Sequence, residues 1–169
     1  MFPIVKTVEE FIAWVDATES HLANDPRISF VVAFVSFERY FRRLTTPRAT
    51  PTRDADGRAV RPPKMYDLWA RLEQSYGADP TRWTALDAAL ARLKVDGERL
   101  NGWRDLRNGI VHGEHEMKKS EISGEAKAVW RALRILAEHP RRVSGIDEEW
   151  SAFSRRPQRN PPARTKKEA

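Results

Sequence analysis

The sequence predicts an all-α protein, a single-domain bundle of five to six helices. Apolar residues recur at spacings of three and four along most of the chain, and no segment shows the strict alternation of a half-buried strand. Residues typical of helix N-termini precede most of these apolar segments. The length of 169 residues suits one domain with one core.

The first helix is predicted to begin after Thr7 and to run to about Leu22. The sequence TVEE places Thr7 at the cap and a glutamate three residues later, which is the capping-box pattern. In NDPR, Asp25 is the predicted cap of the second helix and Pro26 its first residue. Residues 27–44 are at first apolar on nearly all sides, so we expect this helix at the centre of the bundle.

Residues 45–64 interrupt the helical pattern. Four prolines and the sequence DADG predict a long loop here. A loop of this length inside a compact domain is typically mobile or functional. Its arginines Arg53, Arg58 and Arg61 are candidates for binding the phosphates of a nucleic acid.

Four further helices are predicted after the loop, followed by a short one. Asp79 and Pro80 begin the second of the four, and Ser120 or Ser123 caps the last. Gly77 and Asp96 mark breaks between them. The expected spans are 65–76, 80–95, 98–113 and 124–139, with the short helix at 147–155.

The composition excludes several classes of site. The chain has no cysteine, so it has no disulfide, zinc–thiolate site or thiol nucleophile. The N-terminal residues lack a basic segment followed by a long apolar run, and the apolar run 28–37 is too short to span a bilayer. These features predict a cytoplasmic protein that is not inserted in a membrane.

The net charge of +6 is concentrated at the C-terminus. The last 16 residues hold six of the 30 basic residues and one of the 24 acidic ones, which leaves the first 153 with 24 basic and 23 acidic residues. We therefore assign the helical domain to residues 1–150 and a basic, proline-rich tail to residues 151–169. Such a tail is expected to be disordered, and it either attracts nucleic acid or serves only solubility.

The predicted fifth helix, which contains WRDLRNGIVHG, carries an arginine on its apolar side. On a helical wheel one arc of about 140° holds the apolar residues Leu100, Trp103, Leu106, Ile110 and Val111. Arg107 falls inside that arc. A polar stripe beside it consists of Arg104, Asn108 and His112. An unpaired buried charge is costly, so Arg107 needs a partner, and Glu38, the single acid within 27–44, is the first candidate.

Gly109 lies in the interior of the same helix. A glycine there costs about 1 kcal/mol relative to alanine, so some close contact should offset it. We expect a neighbouring helix, or a second copy of this one, to pack against Gly109. Gly113 is the expected cap at the helix C-terminus.

An arginine and a histidine on one helix have a use in phosphodiester chemistry. Arg107 can hold a phosphate with its two-pronged set of donors, and a histidine such as His112 can accept and donate a proton at neutral pH. Together they could support attack of an RNA 2′-hydroxyl on its own phosphate without a metal or other cofactor. The two side chains lie about 140° apart around the helix, so two copies across a two-fold axis would combine them better than one.

The sequence RNGIVH resembles the motif of the HEPN family (higher eukaryotes and prokaryotes nucleotide-binding domains). That motif is an arginine, a polar residue, and a histidine after four to six intervening residues, which here corresponds to Arg107, Asn108 and His112. The family's small helical bundle would cover roughly residues 5–140. The resemblance implies a homodimer whose motifs meet in a cleft and cleave RNA without a metal.

The resemblance also assigns roles. Arg107, Asn108 and His112 are the expected catalytic residues, and Glu38 and Arg104 the supporting ones. Many family members act as toxins or in defence against phage, which adds an antitoxin or regulatory partner to the expected ones.

One departure and two alternatives accompany the resemblance. A toxin subgroup carries a tyrosine two residues after the motif histidine, which a partner nucleotidyltransferase modifies; here that position is Glu114, so this regulation is not expected. Some members keep the fold without the activity, so a non-catalytic RNA-binding or protein-interaction module is the alternative. A metal site is not predicted, because His112 and His115 lack a third histidine nearby.

Overall fold

The protein is an all-helical bundle in the computed structural model, which describes residues 7–45, 56–58, 64–76 and 79–139. No strand occurs in these residues, so the predicted all-α class is confirmed. The expected helix at 147–155, the tail and most of the 45–64 loop lie outside them. The helices are α1 (Val8–His21), α2 (Pro26–Thr45), α3 (Met65–Ser75), α4 (Pro80–Arg92), α5 (Gly97–His112) and α6 (Lys119–Glu138).

Four helices begin at a residue whose side chain accepts a hydrogen bond from the backbone N–H three residues later. This bond satisfies one of the N–H groups that the first turn leaves without an intrahelical partner. The expected caps of α1, α2 and α4 are thereby confirmed. The four capping residues are Thr7, Asp25, Asp79 and Asp96.

The predicted caps of α6 are wrong. The helix begins at Lys119, so Ser120 and Ser123 lie within it rather than before it. The backbone N–H of Lys118 donates to the side chain of Glu121 at 2.8 Å, and this carboxylate in the first turn also lies at the positive end of the helix dipole.

Helix α2 lies at the centre of the bundle, as expected, and packs against α3, α5 and most extensively α6. Its buried face is rich in aromatic residues. Phe37 meets Trp103 of α5 edge to face, with ring centroids 5.7 Å apart. At the other end of α2, the indole N–H of the buried Trp130 donates to the Ser29 hydroxyl at 3.1 Å, so a tryptophan in the core keeps its hydrogen bond.

None of the described helices has the length and apolar character needed to cross a membrane.

Candidate functional site

The N-terminal half of α5 is fixed to α6 by a group of paired side chains. Arg99 reaches both carboxylate oxygens of Glu125, at 3.1 and 3.2 Å, and donates a further hydrogen bond to the carbonyl of Leu93. The indole N–H of Trp103 donates to the same carboxylate at 2.6 Å. The guanidinium of Arg99 also lies over the Trp103 ring, 5.3 Å from its centre. These contacts set the position of the helix that carries the motif.

Arg107 approaches Glu38 of α2, as the sequence predicts. The Nη2 atom of Arg107 lies 3.8 Å from Oε2 of Glu38, which is an ion pair beyond hydrogen-bonding distance. The other oxygen, Oε1, is already bound by Arg42, whose Nε and Nη2 lie 2.9 and 2.8 Å away. Glu38 therefore has a closer partner than Arg107.

Arg42 was not predicted from the sequence as a partner of Glu38. It follows Glu38 by four residues in the same helix, the order and spacing at which a glutamate and a basic residue attract one another. That signal was readable without a structure.

The guanidinium of Arg107 keeps much of its donor capacity. Its side chain is 31% exposed, so it is not covered in a single chain. Its Nε atom is buried and has no hydrogen-bond partner among the described residues. The Nη groups, which have only one loose ion pair, are able to donate to an anionic ligand, because they form a fork that matches phosphate oxygens.

The other two motif residues, Asn108 and His112, point away from Arg107 around α5. His112 is the last residue of α5 and is exposed. Asn108 is half-buried, and neither side chain finds a hydrogen-bond partner in the described part of the chain. Arg104 is tied to its neighbour, with Nε and Nη2 at 3.1 and 2.9 Å from Oδ1 of Asp105. One chain thus brings Arg107 to Glu38 but leaves His112 apart from them.

We expected a neighbouring helix or a second copy to pack against Gly109. In the single chain, the segment that follows α5 lies there instead. Gly113 ends α5 with a φ of 74°, as predicted for this cap, and reverses the chain direction. The N–H of Glu114 then donates to the carbonyl of Gly109 at 2.8 Å. A β-carbon at Gly109 would lie 3.2 Å from the β-carbon of His115. The returning segment therefore accounts for the glycine.

Val111 is not part of the buried arc that the helical wheel predicts. It is 58% exposed, because the wheel gives the direction of a side chain and not whether a neighbouring element lies there. Val35 of α2 is also exposed, at 39%. Val35 precedes Glu38 by three residues and Val111 follows Arg107 by four, so each valine is a neighbour of one member of the ion pair along its own helix.

Only one of the three candidate RNA-binding arginines of the 45–64 loop lies within the described residues. Arg53 and Arg61 lie outside the described residues. Arg58 is exposed and lies 4.0 Å from the carboxylate of Asp56. No group of three or more histidine, aspartate or glutamate residues in the described part of the chain is arranged to hold a metal ion.

Comparisons with known proteins assign neither a family nor a function to this chain. The chain matches no family model, and it has no significant similarity to a curated protein or to a solved structure.

Proposed function

We propose that the protein is a metal-independent endoribonuclease of the HEPN type that acts as a homodimer. The observation that carries the proposal is the state of Arg107. It is partly exposed and only loosely paired, whereas its acidic neighbour Glu38 is satisfied by Arg42. An arginine needed only to neutralise Glu38 would be redundant there, and an arginine that waits for a phosphate would look like this one.

In the proposed reaction the RNA supplies its own nucleophile. His112 accepts the proton of a 2′-hydroxyl as O2′ attacks the adjacent phosphorus. The bond between phosphorus and O5′ breaks, and the leaving oxygen takes up a proton from water, to which the His112 imidazolium returns the proton that it accepted. The products are a 2′,3′-cyclic phosphate and a 5′-hydroxyl. Arg107 stabilises the charge that develops on the phosphate oxygens, and Asn108 adds a neutral donor beside it.

The proposal requires a second copy of the chain. Arg107 and His112 point about 140° apart from one helix, so the histidine of one copy would serve the arginine of the other across a two-fold axis. The exposed Val35 and Val111 support this arrangement, because apolar side chains beside the ion pair favour a face covered by protein.

The test is cleavage of a broad RNA pool by the purified full chain at neutral pH in EDTA. We expect cleavage with cyclic-phosphate ends. His112→Ala should lower the rate by about two to four orders of magnitude while the melting temperature is unchanged, since the side chain is exposed. Intact RNA with the wild-type chain, together with equal harmlessness of both chains when expressed in cells, would refute the proposal.

Expression in cells also tests the proposed role as a toxin or anti-phage effector in the cytoplasm. A toxic wild type beside a harmless His112→Ala chain supports that role. If the purified protein is inactive while this contrast persists, the activity depends on an activating partner in the cell or on an RNA target that the pool lacks.

One observation favours a second candidate function, a non-catalytic RNA-binding or protein-interaction module. No described side chain orients the His112 ring, whereas a general base is ordinarily held by a further group. If wild-type protein binds RNA and His112→Ala binds it equally well without any cleavage by either, this second function replaces the first.

A further inference from the structure

A second feature lies at the other end of α5. A cleft of about 540 Å³ opens where the end of α4, the first turn of α5, the outer face of α6 and the end of α1 meet. Arg99 and His112 are 13 residues apart on α5, so the cleft and the motif histidine are separated by roughly 20 Å along the helix axis.

The acidic groups at this cleft are already paired. Glu125 is bound by Arg99, and Arg134 binds both Glu19 and Asp16. The carbonyl of Leu93, at the negative end of α4, accepts a hydrogen bond from Arg99. Two arginines of the cleft therefore bind three carboxylates, which leaves one negative charge over before the remaining cations are counted.

Four further cations line the same cleft, and none of them is paired with an acid in the described part of the chain. They are Arg92, Lys94, Lys127 and Arg131. Lys127 and Arg131 are four residues apart on α6, where like charges repel one another and destabilise the helix. Since the first 153 residues are almost neutral, this cluster is a local excess of positive charge.

Lys94, one of these four cations, has an unusual backbone conformation. Its φ is 53°, in the left-handed region that is unfavourable for a side chain and natural for glycine. It is the one described residue other than glycine with a positive φ. A glycine would adopt this conformation without strain, so the lysine places a positive charge at the cleft at a small conformational cost.

The lining also indicates which part of a ligand is bound. The side chains between the cations are small or aliphatic, as with Gly124 and Ala128, and no described aromatic ring lines the cleft. A site that reads or stacks bases uses aromatic platforms, whereas spaced cations alone bind the phosphates of the backbone.

We infer that this cleft binds the phosphodiester backbone of single-stranded RNA, independently of sequence, at a site distinct from the Arg107 and His112 motif. The ligand is named on the strength of the proposed function. The binding itself needs no catalysis, so the two proposals can fail separately.

The test measures binding of the full chain carrying His112→Ala, which prevents cleavage during the measurement. The probes are labelled 15-nucleotide oligouridine and oligoadenosine, followed by fluorescence anisotropy over a range of salt concentrations. Lys127→Gln/Arg131→Gln removes two cleft charges. Arg27→Gln/Arg71→Gln is the matched control, because it removes two exposed charges from α2 and α3, outside the cleft.

Each phosphate contact on a single strand contributes about 0.7 to the salt slope, which is about fivefold in affinity at 0.1 M salt. The cleft variant should therefore bind both oligonucleotides about 25-fold more weakly and flatten the slope by about 1.4, with a much smaller change in the control. Lys94→Gly should weaken binding about fivefold without lowering the melting temperature, because it relieves an unfavourable backbone conformation.

Equal affinities of the cleft variant and the control would overturn the inference. So would weakening confined to one of the two sequences, which indicates base recognition. If the cleft variant keeps its RNA affinity but no longer binds poly-L-glutamate, the cleft is a site for an acidic protein segment and the RNA proposal is wrong. Cleavage is assayed separately with His112 in place, so an inactive chain that still binds through the cleft refutes only the proposed chemistry.

Discussion

The two ends of α5 hold their arginines in different ways. At the N-terminal end, Arg99 uses its donors on a carboxylate and a backbone carbonyl and stacks on Trp103. At the C-terminal end, Arg107 has one ion pair at 3.8 Å and a buried Nε without a partner. Both side chains are about 30% exposed, so burial does not separate them.

The completeness of pairing does separate them. An arginine whose donors are all used by the fold contributes to stability, and its loss exposes an unsatisfied carboxylate. An arginine with a single loose ion pair contributes little to the fold, so a ligand is the remaining reason for its position. The comparison therefore predicts opposite consequences for the same substitution at the two ends.

The largest expected difference concerns Arg107→Lys and Arg99→Lys. Lysine keeps the charge but loses the fork. Arg107→Lys should lower RNA cleavage by about 100-fold or more with an unchanged melting temperature, as for loss of a transition-state donor. Arg99→Lys should lower the melting temperature and leave cleavage at saturating RNA intact. Rates and thermal unfolding of both variants decide this, and full activity of Arg107→Lys would show a purely structural arginine.

Arg107→Ala should also be inactive and nearly as stable as the wild type. The sequence alone suggests that this change strands Glu38, but Arg42 continues to neutralise that carboxylate. A large loss of stability would show that the 3.8 Å pair matters more to the fold than its geometry indicates.

The next prediction concerns the second copy at the C-terminal end. Val111→Glu places a charge on the exposed apolar face beside Arg107, so it should dissociate the homodimer and remove cleavage with it. Ala88→Glu, on the exposed side of α4, is the matched control and should change neither. Sedimentation velocity measures the dimer. Retained activity in a monomeric Val111→Glu chain would contradict the need for two copies.

A smaller effect is expected for Glu125→Gln at the N-terminal end. Glutamine can still accept from Trp103, but it loses the charge that holds Arg99. The free energy of unfolding, measured in urea, should fall by about 1–2 kcal/mol. Glu114→Gln, an exposed residue just after the other end of α5, should change it by much less. Equal effects would show that the two ends do not differ in their contribution to stability.

The smallest effect is expected for Gly109→Ala. The added methyl group improves helix propensity by about 1 kcal/mol and presses on His115 at 3.2 Å, so the net change in stability should stay below about 1 kcal/mol. The dimer and the activity should be retained. Gly109→Leu should displace the returning segment and lower stability further. If Gly109→Ala instead dissociates the dimer, a helix of the second copy packs against Gly109, as the sequence suggests.

Much of the fold was readable from local patterns. Thr7, Asp25 and Asp79 begin helices as predicted, because a cap acts through hydrogen bonds within three residues of itself. The beginning of α6 was mistaken because serine is a common capping residue, whereas this helix begins before both serines and its first turn is bound through the carboxylate of Glu121. The pairing of Glu38 with Arg107 was predictable because a buried charge must find an opposite charge within reach.

The sequence by itself determined most of the helices, the central position of α2, the apolar arc that contains Arg107 and the polar stripe that carries Asn108 and His112, because helix periodicity and capping are local properties. Only the tertiary structure decided how completely each charge is paired. It left Arg107 with one loose ion pair to Glu38 and exposed Val111. These outcomes depend on which element lies opposite a side chain and at what distance, and that information exists only once the helices have packed.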